Sequence, residues 1–514
     1  MKKVVAVLLV IFLIINFFSP TVFSTSKKTT YYDLWLSSKY EQTLYKTNSR
    51  VVYSRGKYKL TNYNHGYSFQ FPKDFNFDIA KDKYYVRLFN KSCRIDLYHE
   101  NLTNKNINTY IDDLTKSIRK NIIFSRYAKI NNYNVRIIGY ERKNKLFEGD
   151  LNYYHYYIIN YKNKVLLIQL KTDLKNLSIN KKTVDQIIKT INFNERKKVN
   201  NYNFDYRTVS GEINYLTNGY KLSIPKEKFV FGTFHEHSRD IDKLEKTLET
   251  RIGAQMFYKN INQPYDSYTE ELVSKGKIPI VTFLMNTVPD SSESYVEKVI
   301  KGEFDNTLLT WVENVKKLNA PVLFRIGNEM NGEWTFWSLK YTYNDPDLYK
   351  LAFAHIVNLF KTNGCNNAYF VWNPNNKSIP NYIWNDAVLF YPGNKFVDII
   401  GMTAYNFGNT KYSKFSYFDE LYSDMYKTYL LNYPNKPMMI GEFASVSSGG
   451  DRPLFIKDMF EKIKTKYKNI KIVIWFNKND GEYDFDLMNS DLSIKALKEG
   501  LKQDWIIKEP IQKN

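Results

Sequence analysis

Phe324-Arg325-Ile326-Gly327-Asn328-Glu329-Met330-Asn331-Gly332-Glu333-Trp334 is the stretch from which the rest of the chain can be read. It continues Ala320-Pro321-Val322-Leu323, so an apolar run of strand type ends in a carboxylate, with glycines and the tryptophans Trp334 and Trp337 directly after. Lys436-Pro437-Met438-Met439-Ile440-Gly441-Glu442-Phe443 repeats the pattern, a short apolar strand running into Glu442. Two carboxylates at the ends of two strands, with aromatic rings close by, suit acid–base chemistry on a sugar.

Around these two stretches, strand and helix patterns alternate from Phe229 onward, the signature of an α/β fold with parallel strands. Strands are expected at Phe229–Phe234, Ala254–Tyr258, Ile278–Leu284, Val322–Gly327, Tyr369–Trp372, Val397–Thr403, Pro437–Glu442 and Ile472–Phe476. Amphipathic helices are expected at Ile241–Thr250, Leu308–Leu318, Leu348–Phe360, Phe418–Leu431 and Phe455–Tyr467. Eight strands over roughly 280 residues fit a closed (β/α)8 TIM barrel, here residues 229–505, whose strand C-terminal ends share one mouth. Glu329 follows strand four and Glu442 ends strand seven, so both belong at that mouth.

The N-terminal part reads differently. Residues 27–200 combine strand patterns, such as Val135–Arg142, Asn152–Tyr161 and Lys164–Lys171, with helical spacing at Asn108–Lys120 and Val184–Ile191: a small α+β domain. A polar lead-in, 201–228, would join it to the barrel. The chain's formal charge of +21 is concentrated in this first domain, where 34 Lys and Arg face 15 Asp and Glu; residues 201–514 hold 38 of each sign. Such asymmetry fits either contact with an anionic cell-surface polymer or a solvated Lys-rich surface. Nothing in it points to nucleic acid. Before it, Lys2 and Lys3, the apolar run Val4 to Phe18 and the small residues up to Ser24 have the form of a secretory signal peptide, residues 1–24. A secreted or cell-surface protein is therefore expected, with the signal either cleaved or kept as an anchor. Two cysteines, Cys93 and Cys365, and six scattered histidines offer no disulfide framework and no metal-ligand spacing, so neither a metal nor a cofactor is expected, and the chain is expected to be a monomer.

Residues 229 to about 500 resemble glycoside hydrolase family 26. The residues that carry the likeness are Arg325 through Trp337, Ile278 to Phe283, Val371-Trp372-Asn373-Pro374-Asn375, Tyr391-Pro392-Gly393, Asp398 through Asn406, Gly441 to Ser445 and Trp475-Phe476-Asn477. The resemblance implies an endo-acting, retaining β-glycanase acting on a β-linked polysaccharide, with β-1,4-mannan as the family default and mixed-linkage β-glucan or β-xylan as alternatives. It implies Glu329 as general acid/base, Glu442 as nucleophile, and their carboxyl groups about 5–5.5 Å apart. Arg325 would keep Glu442 ionised or simply form a core ion pair. Tyr405 would donate to the nucleophile, Trp475 would floor the cleaved sugar's subsite, and Trp334 and Trp337 would line neighbouring subsites, Trp337 being equally readable as core. His235, ending strand one, is either a substrate contact or a structural histidine. Where the family usually has His before the acid/base, this chain has Asn328, which puts the preference for mannan in question. A non-catalytic glycan-binding or wall-scaffold protein on a dead barrel is the alternative class; the presence of both carboxylates and Arg325 speaks against it.

Overall fold

The computed structural model describes residues 28–514 apart from 103–105, 163, 196, 198–208, 238–239, 288–292 and 412. The export-signal reading lies outside the described residues, as do residues 201–208 of the polar stretch that leads into the barrel.

Eight parallel strands close into a barrel: Val230–His235, Ala254–Asn260, Ile278–Leu284, Val322–Ile326, Ala368–Trp372, Ile399–Asn406, Met438–Ser445 and Ile470–Asn477. Their apolar runs are continuous because both faces are covered. Alternate residues part to opposite sides, as strand geometry requires. Val230, Met256, Ile280, Leu323, Val371, Ile399, Met439 and Ile472 fill the interior, while Phe231, Phe257, Val281, Phe324, Phe370, Ile400, Ile440 and Val473 face the surrounding helices.

The floor of the barrel is built from sequence that lies outside the expected boundaries. Ile213–Leu216 and Tyr220–Ile224, within the expected lead-in, form an antiparallel sheet with Ile511–Lys513, beyond the expected end at 505. Ile213, Leu222, Ile224 and Ile511 join the interior cluster. These short strands have no burial of their own, so they form only against the open strand starts.

Helices Asp240–Leu248, Tyr268–Ser274, Asp305–Leu318, Pro346–Thr362, Phe418–Asn432, Arg452–Thr465 and Asp491–Leu501 ring the barrel. The connection after strand five departs from this pattern. It holds only short 3-10 turns, Ile383–Asn385 and Ala387–Phe390, and the N-terminal domain packs there instead. The Tyr382 hydroxyl donates to Asp113 (2.7 Å), the Ile383 N–H donates to Glu100 (2.8 Å), and the Tyr110 ring meets Tyr382 edge-on.

That domain is a seven-stranded antiparallel sheet whose order runs Asn76–Asp78, Val86–Phe89, Cys93–Asn101, Lys164–Thr172, Tyr153–Tyr161, Tyr133–Glu141, Ile122–Ile130, with a separate three-stranded sheet from Ser49–Ser54, Lys57–Asn62 and Tyr67–Pro72. Helices Ile107–Thr115 and Leu177–Lys189 flank it, and helix Tyr31–Lys39, opened by a Thr30–Asp33 capping box, leans on the barrel. Cys93 and Cys365 are free and buried.

The N-terminal domain packs directly on the barrel: Tyr31, Trp35, Phe89, Tyr110 and Tyr154 share one apolar cluster with the barrel helices. Buried charge crosses the same boundary. Arg94 pairs with Asp96, Asp345 and Asp347; Lys171 pairs with Asp345 (2.5 Å); Trp35 Nε1 donates to Asp347 (2.8 Å); and Lys350 closes the group (2.5 Å). Asp345 also caps helix Pro346–Thr362, with proline in the first turn. Burial pushes the Asp347 carboxyl up, but Arg94, Lys350 and Lys171 outweigh it and hold it well below the usual carboxylate range.

Asp347→Asn leaves three buried cations short of a partner and is expected to cost about 3–5 kcal/mol, read as a lower Tm and urea midpoint. The folded carboxyl titrates below its unfolded value of about 4, so the gap from wild type is full above that pH and narrows as pH falls towards the folded value. A wild-type Tm at neutral pH would show that this network does not hold the two domains together.

Candidate active site

Strand four places its residues in phase: Leu323 points into the barrel, and so does Arg325 two residues on. The chain then turns sharply. Gly327 has φ +51°, and a Cβ there would lie 2.7 Å from the Met285 methyl and 3.0 Å from the Tyr349 ring, a backbone and a space that favour glycine. Glu329 is also left-handed, at φ +55°. For a residue with a side chain this costs of order 1 kcal/mol, and three hydrogen bonds hold it. The Glu329 N–H donates to Asn373 O (2.7 Å), the Gly332 N–H donates to Glu329 O (2.9 Å), and Trp337 Nε1 donates to Asn328 O (2.6 Å). The turn aims the Glu329 carboxyl across the mouth.

Strand seven reaches the same place by an irregularity. Ile440 and Phe443 both face the helices, and the pairing register shifts between them. The extra residue turns Glu442 inward, where unbroken alternation from Ile440 would have turned it out. Gly401 and Gly441 leave room for the Asn373 side chain, which a Cβ at either position would strike.

The two carboxyls sit in different surroundings. Glu329 is half-buried and accepts from Asn375 Nδ2 (2.7 Å) and Trp334 Nε1 (2.8 Å). Burial and the negative charge of Glu442 push its carboxyl up to about 7, against the pull of those two donors and Arg325. Glu442 is ringed by donors. Its Oε1 accepts from Arg325, from the Tyr258 hydroxyl (2.5 Å) and, at 3.4 Å, from Asn328 Nδ2; its Oε2 accepts from the Tyr405 hydroxyl (2.6 Å). Arg325 is oriented by a second bond to Gly441 O (2.8 Å). One carboxyl poised to carry a proton beside another held by cation and hydroxyls is the division of labour that glycosidic cleavage requires.

The structure brings Glu329, Glu442, Arg325, Asn328, Tyr405 and Trp334 together. Three expected residues lie elsewhere. Trp475 is fully buried in the outward phase of strand eight: it packs on Phe443 and donates to Phe485 O (2.9 Å), and so cannot floor a subsite. Its neighbour Phe476 is half-buried, stacked on Phe234 and edge-on to Tyr405. Trp337 is buried and spends its N–H on the Asn328 backbone, which makes it a support for the turn rather than a subsite wall. His235 lies in the phase of Phe231, with Nδ1 3.4 Å from the Asn477 amide, and burial pushes its imidazole down to about 4. Sequence reading assigned no role to Tyr258 or Asn375. Alternation from Ala254 and Met256 would have turned Tyr258 inward at the right height.

Residues 256–510 match the model of glycosyl hydrolase family 26. Endoglucanase H of Acetivibrio thermocellus is 28% identical over 238 residues, 46% of this chain and 25% of that protein. A mannan endo-1,4-beta-mannosidase of Bacillus subtilis (strain 168) is 30% identical over 214 residues, 39% of this chain and 50% of that protein. The chain thus spans a quarter to a half of these relatives' length. Among solved structures, the catalytic domain of the Bacillus sp. JAMB-750 GH26 endo-beta-1,4-mannanase superposes with a TM-score of 0.45 at 16% identity, covering 55% of this chain and 88% of that one.

Trp334 donates to the charged form of Glu329 and so lowers its pKa. Trp334→Phe is therefore expected to raise that pKa and move the alkaline limb of the kcat/KM pH profile from near 7 to higher pH, since the acid must be protonated to act. A limb that stays in place or moves down would remove Trp334 from the control of the acid.

Proposed function

With residues 256–510 belonging to glycosyl hydrolase family 26, we propose that the protein is an exported, retaining endo-β-glycanase with β-1,4-mannan as its foremost substrate. The observation that carries the reading is the unequal treatment of the two carboxyls at one mouth. Glu329, up at about 7, holds a proton it can give. Glu442 is held on Oε1 by Arg325 and Tyr258, while Oε2 accepts only from Tyr405 among the described residues and keeps a lone pair to bond to carbon. In the first step a Glu442 oxygen bonds to the anomeric carbon as the glycosidic bond breaks, and Glu329 passes its proton to the departing oxygen. In the second, the Glu329 carboxylate takes a proton from water, whose oxygen bonds to the anomeric carbon and releases Glu442. The charge set on the start of the chain, Lys2 and Lys3 before an apolar run, supports export.

A β-glucan is the second substrate reading. It is favoured by the likeness to Endoglucanase H and by Asn328, whose amide lies within 3.4 Å of Glu442 and whose Oδ1 is buried without a partner among the described residues. An amide so placed faces the 2-hydroxyl of the sugar being cut, axial in mannose and equatorial in glucose.

Reducing-end release from mannan, glucomannan, lichenan and xylan tests the activity. Glu442→Ala is expected to lose turnover on all of them. Glu329→Ala is expected to fall about 10²–10⁴-fold on polysaccharide, to keep glycosylation by aryl glycosides with good leaving groups, and to regain turnover with azide. No hydrolysis of any β-glycan by wild type would favour the scaffold reading, and equal loss on activated and unactivated substrates would remove Glu329 as the acid. Asn328→His is expected to shift the mannan-to-lichenan ratio of kcat/KM towards mannan; an unchanged ratio would free Asn328 of any part in specificity.

A further inference from the structure

Where the N-terminal domain meets the barrel mouth, a crevice opens between the turn after helix Ile107–Thr115 and the loops that follow strands four and five. Asp113 and Lys116 form one wall, Glu333 and Lys340 the second, Ile379 and Trp384 the third. Its volume is about 80 Å³, several times the ~10–15 Å³ that a single water needs by the same measure. We propose that this crevice is a remote sugar subsite on the leaving-group side of the cut bond, so that the N-terminal domain forms part of the substrate cleft. The proposal rests on the endo-glycanase reading and adds to it a subsite shared between the two domains.

Continuity with the catalytic centre is the first support. The two barrel loops that wall the crevice are those that supply both donors to Glu329. Trp334 directly follows Glu333 and is 49% exposed, and Asn375 stands at the root of the loop that carries Ile379 and Trp384. The loops are braced to one another: Asn331 Oδ1 accepts from the Asn375 N–H (2.9 Å), and the Ile379 N–H donates to Asn331 O (2.9 Å). A general acid touches the oxygen of the departing sugar, so loops that hold the acid line the departing side. A polysaccharide leaving Glu329 across the exposed Trp334 ring runs into the crevice.

The lining has the chemistry of a sugar site. Trp384 stacks on Tyr382 with ring centroids 5.4 Å apart and an interplanar angle of 16°. Its buried indole N–H has no partner among the described residues. Ile379 is 46% exposed beside it. Apolar faces with a few polar groups around them suit a pyranose ring with its rim of hydroxyls. Lys116 and Glu333 pair across the opening at 3.5 Å, with Lys116 exposed and Glu333 partly so; such a pair is worth about 0–1 kcal/mol, so sugar hydroxyls can replace it at little cost. The Tyr382–Asp113 bond and the buried ion network keep the two walls in fixed relation, so the crevice is formed before substrate arrives.

The test uses the full chain carrying Glu329→Ala, titrated by calorimetry with β-1,4-linked manno- and gluco-oligosaccharides of two to six units. Affinity is expected to rise with length, and the Lys116→Ala/Lys340→Ala and Ile379→Asp variants are expected to lose about fivefold or more on the longest oligosaccharide. In the active enzyme, the ratio of kcat/KM on polymer to that on an aryl disaccharide should fall with them. On a hexasaccharide labelled at its reducing end, the favoured cut should move towards that end. Identical length dependence in parent and variants, with unchanged Tm, overturns the subsite, and a cut that moves the other way overturns its side. No oligosaccharide binding by the parent at any length, with no polysaccharide hydrolysis by wild type, overturns the endo-glycanase reading as well.

Discussion

Asp347 lies beneath Arg94, Lys171 and Lys350 with no solvent to share the charge, and much of the molecule depends on that arrangement. With Asp96 and Asp345, these buried charges are tolerated only as a set, because each alone would face a large desolvation cost. Two of the cations come from the sheet of the N-terminal domain, and Asp347 opens the helix that follows strand four. The network therefore fixes the domain against the barrel element whose preceding loop carries Glu329. The domain also covers the connection after strand five, which has no α-helix of its own.

Both carboxyls of the candidate site depend on local departures from regular structure. Glu329 sits on a left-handed backbone held by Asn373, and Glu442 on an irregularity that breaks the alternation of strand seven. A regular strand would place such side chains at fixed heights and on a fixed face. The turn and the bulge let two strand ends on different parts of the rim aim at one point. Glycine at 327, 401 and 441 is what permits the backbone and Asn373 to approach so closely.

The barrel was legible because buried parallel strands leave apolar runs, and all eight fell where those runs lie, with ends shifted by a residue or a few. Glu329, Glu442 and Arg325 were legible because strand, carboxylate and glycine follow one another. What escaped was set by side-chain phase and by distant partners. Trp475 and Phe476 are adjacent aromatics, and only the inward run of Ile472 and Ile474 tells which one faces the mouth. Arg94 and Asp347 look like ordinary surface charges, since neither shows its partner in nearby sequence. The floor sheet was hidden for the same reason: Ile213–Leu216 and Ile511–Lys513 are too short to announce themselves and are strands only through each other and the barrel above.

That floor bears on how the molecule is assembled. The strand Tyr220–Ile224 precedes the barrel and its partner Ile511–Lys513 follows it, roughly 290 residues later, a pairing of very high sequence separation and correspondingly slow to form. During synthesis the early strand waits with an unpaired edge while all eight barrel strands emerge. The sheet can be completed only after the last of them has left the ribosome. Closure of the barrel and sealing of its underside are therefore late, coupled events, and until they occur the apolar interior is open from below to whatever binds nascent chains.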